Sequence, residues 1–298
     1  MRSSRVAEQM TLFNIPEADG IVNVASVHQR SPFRYPGGKT WLVPRIRQWF
    51  ARLEWTPSVL VEPFAGGAIV GLTAAFEHLA ERVVLVELDD DVVAVWKTIL
   101  EGDSEWLVRR ILSFDLTEEN VRKELGQTIS SIKHKAFRTI LKNRTYHGGI
   151  LAPGSGLIKS GENGKGIRSR WYPETLARRI RLIAQIRDRL TVIEGDGIAI
   201  IQDFALNKRA AFFIDPPYTA AGKKAGARLY THHNLDHEKL FAVTSKIKGD
   251  FLMTYDNTEE IARLSAQYGF QTRVVSMKNT HHSRMNELLI GRNLKFQA

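Results

Sequence analysis

The chain has 298 residues, 43% hydrophobic and 25% charged, enough to fill the core of one large domain or two. No apolar run reaches membrane-span length, the start MRSSRVAEQM lacks the apolar stretch of a signal peptide, and cysteine is absent, which excludes disulfides and thiolate metal sites and fits a cytoplasmic location. The net charge of +10 is concentrated: residues 121–190 hold 16 Lys/Arg against 4 Asp/Glu, leaving 26 basic and 28 acidic residues elsewhere.

Residues 1–30 are polar without a sustained period and read as a flexible arm. Phe33 to Lys39, FRYPGGK, is turn-rich, because Pro-Gly-Gly suits neither a helix nor a central strand. Thr40 to Leu53 places Trp41, Leu42, Ile46, Trp49, Phe50 and Leu53 at helical spacing. Val59 to Val61 is a strand, Glu62 to Gly67 (EPFAGG) a glycine turn, and Ala68 to Leu79 a helix. Val83 to Val86 is a second strand ending in Glu87, followed by a helix from Asp90 to Leu100. That order, strand, glycine turn, helix, strand, acid, helix, is a nucleotide-binding half of a doubly wound sheet. Residues 101–190 break the rhythm and read as helices around a glycine-rich loop, Ala152 to Gly166, too polar to pack. Strands resume at Leu190 to Ile193, Ala211 to Ile214, Phe251 to Thr254, Arg273 to Met277 and Glu287 to Gly291. The expectation is one α/β domain, residues 31–100 and 191–298, interrupted by an insertion at 101–190.

Asp215-Pro216-Pro217-Tyr218 follows the apolar run Ala210 to Ile214 and so sits at a strand's carboxyl end, where open α/β sheets place their chemistry. A carboxylate, a rigid carbonyl and an aromatic plate suit a planar amine; the plain alternative is a Pro-rich turn closing the strand. Gly66 and Gly67 allow close approach of a ligand to backbone N–H groups at a helix start, or else tight strand–helix packing. Glu87, about 20 residues on, suits a ribose diol. Asp89, Asp90 and Asp91 read as negative charge at a helix N-terminus. In the basic segment Arg144, Tyr146, His147, Arg168, Arg170, Trp171 and Tyr172 interleave aromatics with cations, the footprint of a polyanion partner rather than of a merely solvated face. For Arg178, Arg179, Arg181, Arg187 and Arg189 a solvated helix face is the expectation.

The strings FRYPGGK, VEPFAGGA, VELDDD, LKNRTYHGG, FIDPPY and NELLI occur in the order found in the Dam-like DNA adenine methyltransferases, from about Phe33 to Ile290. Cofactor motif first, insertion next and DPPY last is the order of the alpha group. One departure is visible: Ala68 stands where the family pattern calls for a second glycine. The resemblance implies a Rossmann-like methyltransferase sheet with an inserted, mainly helical target-recognition domain. It implies S-adenosylmethionine held by Tyr35, Gly38, Lys39, Phe64, Gly66, Gly67, Glu87 and Asp215, with Lys39 on the cofactor's carboxylate. Asp196 either accepts from the cofactor's adenine amine or caps a strand-end turn. The catalytic residues the resemblance implies are Asp215, Pro216, Pro217 and Tyr218: Asp215 and the Pro216 carbonyl would accept from the 6-amino group of a flipped adenine in duplex DNA, with Tyr218 stacking on the base. DNA contacts are implied at Asn143, Arg144 and Tyr146, and at Arg168 and Arg170. Cytosine or RNA adenine as substrate, or a silent DNA-binding regulator, remain as alternatives.

The histidines of YTHHNLDH (Tyr230 to His237) and His281-His282 lack HExxH spacing, so no metal is expected; a helix cap near Asn234 or Asp236 is, with Thr219 to Tyr230 closing over the pocket. Asp256 and Asn257 end a strand and either line the pocket or cap a turn. Gln9-Met10-Thr11-Leu12-Phe13 resembles the bacterial sliding-clamp-binding peptide, through Gln9, Leu12 and Phe13.

Overall fold

The computed structural model describes residues 27–35, 37–217, 235–278 and 284–295. Gln9, Leu12, Phe13 and Tyr218 lie outside the described residues, as does the 219–230 loop. The described elements, in chain order, begin with α1 (Val43–Arg52), β1 (Val59–Glu62), α2 (Ile69–Phe76), β2 (Arg82–Glu87) and α3 (Asp90–Leu100). The insertion contributes α4 (Ser104–Ser113), α5 (Glu118–Gly126), α6 (Ile132–Thr145) and α7 (Pro173–Gln185). Then come β3 (Leu190–Glu194), α8 (Gly197–Phe204), β4 (Ala210–Ile214), α9 (His237–Thr244), β5 (Asp250–Asp256), α10 (Glu259–Gln267), β6 (Gln271–Lys278) and β7 (Arg284–Gly291).

The strands form one sheet in the order β3-β2-β1-β4-β5-β7-β6. The first five are parallel, with Val61 opposite Val84 on one side and Phe212 on the other; β7 runs antiparallel to both β5 and β6. Strand order reverses between β1 and β4, so the ends of those two strands flank the natural ligand crevice. Both strands are buried along their whole length, which only a sheet covered on two faces allows. Leu60, Ala211 and Phe213 face one core, while Val59, Val61, Phe212 and Ile214 face the other.

The insertion has no core of its own. Leu107, Ile111, Phe137, Ile140, Leu176, Ile180 and Ile183 join Trp96, Val95 and Ile99 of α3 in the first core. The glycine-rich loop, expected to be too polar to pack, buries Ala152 and Ile158, because two apolar side chains suffice to anchor a polar backbone. Capping follows local chemistry. Asp89 caps α3 by accepting from the Asp91 N–H, with Asp90 and Asp91 in the first turn as the dipole favours, and Asp236 caps α9 through the Lys239 N–H at 2.9 Å.

Candidate active site

Above the β1 and β4 ends lies a cavity of about 1150 Å³. Tyr35, Gly38, Lys39, Phe64, Gly66, Gly67, Glu87, Asp196, Asp215 and Pro217 all line it. Tyr35 and Pro217, 182 positions apart, meet there because β1 to β4 all end at the same edge of the sheet and the 35–39 loop packs on the turn after β1. Its floor is the glycine turn between β1 and α2. Gly66 has φ +46°, and a Cβ there would come within 2.6 Å of the Tyr35 ring. The glycine thus serves packing against Tyr35 as well as backbone exposure to the cavity. Ala68 has φ 51°, the left-handed region that disfavours any side chain. This is the position at which the family pattern carries glycine, and the chain keeps the conformation without it.

Glu87 holds the turn in place. Its carboxylate accepts from the N–H groups of Gly66 (2.8 Å), Leu88 (2.9 Å) and Asp89 (2.9 Å). Burial pushes its pKa up, and the three N–H donors work against that rise. A carboxylate offers about four lone-pair sites, so acceptor capacity is left for a ligand hydroxyl. Asp196 caps α8 through the Ile198 N–H at 2.9 Å, so the turn reading holds for one of its oxygens while the residue also lines the cavity.

Asp215 leaves the end of β4. Its Oδ1 accepts from the Thr254 hydroxyl at 2.7 Å and lies 3.0 Å from the Lys39 ammonium. Lys39 is 2% exposed. Its ammonium donates to the Gly37 carbonyl at 2.7 Å and lies 3.6 Å from Glu287 Oε2. The cation expected on a cofactor carboxylate is therefore engaged by the protein's own acids. Asp256 ends β5 nearby, its pKa raised to about 6 by burial, with Lys39 opposing the rise and Asp215 adding to it.

Asn143, Arg144, Arg179 and Arg189 are more buried than expected, and several site residues carried little local signal. Asn143, expected on DNA, is 1% exposed. Its side chain accepts from the Arg34 N–H (2.9 Å) and donates to the carbonyls of Arg34 (2.9 Å) and Gly149 (2.7 Å), latching the FRYPGGK loop to α6. Arg144 is 5% exposed, donates to the Pro32 carbonyl and lines the cavity. Burial lowers its pKa to about 9, helped by Arg179, Arg34 and Arg170. Arg179, expected on a solvated face, donates to the Ser31 carbonyl at 3.0 Å and also lines the cavity, because α7 turns that face toward the loop. Arg189 likewise turns inward and donates to the Ala80 carbonyl at 2.6 Å. Tyr146 is half-buried beneath Lys142, Arg170 is half-buried, and Arg168 is exposed. Thr254 and Glu287 carried no signal beyond strand membership and the string NELLI, and the buried Glu62, which also lines the cavity, stood only in VEPF.

The model of the D12 class N6 adenine-specific DNA methyltransferases matches residues 35–280. The chain belongs to that family. It is thus a DNA adenine methyltransferase that uses S-adenosylmethionine. No curated protein matches it. Solved structures similar to it include an rRNA methyltransferase from Streptomyces viridochromogenes, 12% identical over 91% of this chain and 93% of that one, with a TM-score of 0.40. Another is a methyltransferase from Geobacter sulfurreducens, 14% identical over 97% and 96%, with a TM-score of 0.38. The described residues fit the cofactor: the cavity is large enough, its floor exposes a glycine backbone, and carboxylates stand at the ends of β2 and β4. Among the described residues, no helix is long and apolar enough to cross a membrane.

Proposed function

We propose that this enzyme methylates the 6-amino group of an adenine turned out of duplex DNA at a defined sequence. The observation that carries the reading is Asp215, fixed through Oδ1 at the end of β4 and facing the cavity that holds the glycine turn and Glu87. When bound, S-adenosylmethionine supplies an electrophilic methyl group. Glu87 and Asp196 would hold it from the β2 and β3 ends, and the turn from Phe64 to Gly67 would lie beneath it.

The protein's own task is to make a poor nucleophile react. Adenine's amine lone pair is delocalised into the ring. Asp215 and the Pro216 carbonyl each accept one amine hydrogen, and both bonds strengthen as positive charge builds on nitrogen. They therefore stabilise the transition state more than the ground state. Turning the base out costs a few kcal/mol of stacking. Phosphate contacts from the exposed cations of the insertion, Arg168 among them, offset that cost, and groove contacts from the same insertion read the sequence.

The test is incubation with cofactor tritiated on the methyl group and unmethylated duplex DNA, then nucleoside analysis. Label in 6-methyladenine, abolished in Asp215→Ala, is the expected result. Label in cytosine, or in RNA adenine with duplex DNA unlabelled, overturns it.

A further inference from the structure

Thr254, Lys39 and Glu287 form a connected cluster behind Asp215. Thr254 and Lys39 both engage Asp215 Oδ1, at 2.7 and 3.0 Å. Among the described residues neither the hydroxyl bond nor the ion pair falls on Oδ2. Glu287 lies 3.6 Å from the same ammonium and is buried. It belongs to β7, directly across the ladder from Asp256 of β5. Two carboxyls opposed in this way repel each other, and a buried lysine beside both relieves the repulsion.

We propose that Lys39, Thr254 and Glu287 are positioning residues for methyl transfer: Thr254 and Lys39 hold Asp215 by Oδ1 and so present Oδ2 to the amine, while Glu287 sets how much of the Lys39 charge Asp215 receives. The inference rests on the reading of Asp215 as amine acceptor. A carboxylate pinned through one oxygen loses the rotation about its last bond, so its other oxygen points one way. The strings FRYPGGK and NELLI, at opposite ends of the catalytic sheet, then share one purpose, since each supplies one member of the cluster.

The charged and titratable groups facing Asp215 predict the pH behaviour. They are Lys39 from the loop before α1, Glu62 at the end of β1, and Tyr255 and Asp256 on β5, with Glu287 of β7 behind Lys39. Of these Lys39 alone is cationic. Removing it in Lys39→Met leaves Asp215 among acids, so the acid limb of the kcat profile moves to higher pH. Removing the competing charge in Glu287→Gln gives Asp215 more of the lysine, so the acid limb moves to lower pH. A residue that only supports the fold moves neither limb.

The experiment is steady-state methylation of duplex DNA from pH 5 to 9 by full-length protein, with thermal melting of each variant as a folding control. Thr254→Val is expected to lower kcat about tenfold, the loss of one hydrogen bond to a charged group. KM values for cofactor and DNA stay within about twofold, and Thr254→Ser restores kcat. Opposite shifts of the acid limb in Lys39→Met and Glu287→Gln complete the expected result. Should Lys39→Met fail to fold, the downward shift in Glu287→Gln and the Val/Ser pair decide the matter. Wild-type kcat in Thr254→Val, equal losses in the Val and Ser variants, or an unmoved limb in Glu287→Gln overturns the proposal. Wild-type protein that labels a different base instead refutes the adenine reading, and the same variants then test the cluster on that base.

Discussion

The cavity has two walls of opposite character. The sheet-end wall carries Glu62, Glu87, Asp196 and Asp215, carboxylates fixed by backbone N–H groups, a hydroxyl and one lysine. The insertion wall carries Arg144, Arg179 and Tyr172. Cations crowd one another there, and the pKa of Arg179 is lowered by burial and by Arg178. The difference teaches how the two halves divide the work. Carboxylates placed at strand ends by a rigid sheet suit a sulfonium cofactor and an amine that gains positive charge. Arginines carried on inserted helices suit anions. The two walls are joined by short links, chiefly Asn143 to Arg34 and Arg144 to Pro32.

The largest effect tests the acidic wall. Asp215→Ala is expected to lower kcat by about a thousandfold, on the order of 4 kcal/mol, with cofactor affinity changed only a few-fold. Radiolabel transfer together with calorimetric cofactor titration checks it; equal losses in both would make Asp215 a cofactor ligand first. Next comes the latch between the walls. Asn143→Ala removes the side-chain partner of one buried and two partly buried backbone groups, the Gly149 carbonyl and the N–H and carbonyl of Arg34, and should cost about 2–4 kcal/mol in urea unfolding. A weaker cofactor affinity should accompany it, because the loop bearing Tyr35 loses its tether to α6.

Asp256 gives a smaller effect that depends on pH. Its native pKa of about 6 exceeds the ordinary value of 3.8, so the native state binds this proton more tightly than the unfolded chain. Its contribution is therefore unchanged below pH 3.8, declines as pH rises toward 6, and is lost above that. Asp256→Asn should match wild type near pH 4 and exceed it by about 1–2 kcal/mol at pH 8, a figure reduced for the group's partial exposure. Denaturant curves at the two pH values measure the difference, and a constant offset would mean the shift is not electrostatic. The smallest effect concerns the floor of the cavity. Ala68→Gly relieves a left-handed alanine at the cost of chain entropy, for a net gain of about 0.5–1 kcal/mol. A lower melting temperature in the variant would show that the Ala68 methyl packs well enough to outweigh its backbone.

Local signals were strong where chemistry and secondary structure coincide. Asp215, Glu87 and the EPFAGG turn announced themselves because strand ends, glycines and acids follow one another within a few residues. Asn143 and Arg144, which the family resemblance put on DNA, are buried against the loop at residues 32–34, and the partner of that helix face is written nowhere in the local sequence. Lys39 lines the cavity, but no local signal pairs it with Asp215 and Glu287, which are distant in sequence and adjacent only across the sheet.

The amino-acid order by itself determined the alternation of strands and helices, the glycine turn, the acid that follows it and the DPPY strand end, because each is written in hydrophobic period or turn chemistry spanning under about 20 residues. Tertiary structure alone decided which side chains answer Asp215, which arginines turn inward, and that the insertion shares the core of the sheet. Those outcomes depend on which faces pack together, and burial of distant apolar surfaces settles that only once the whole chain has folded.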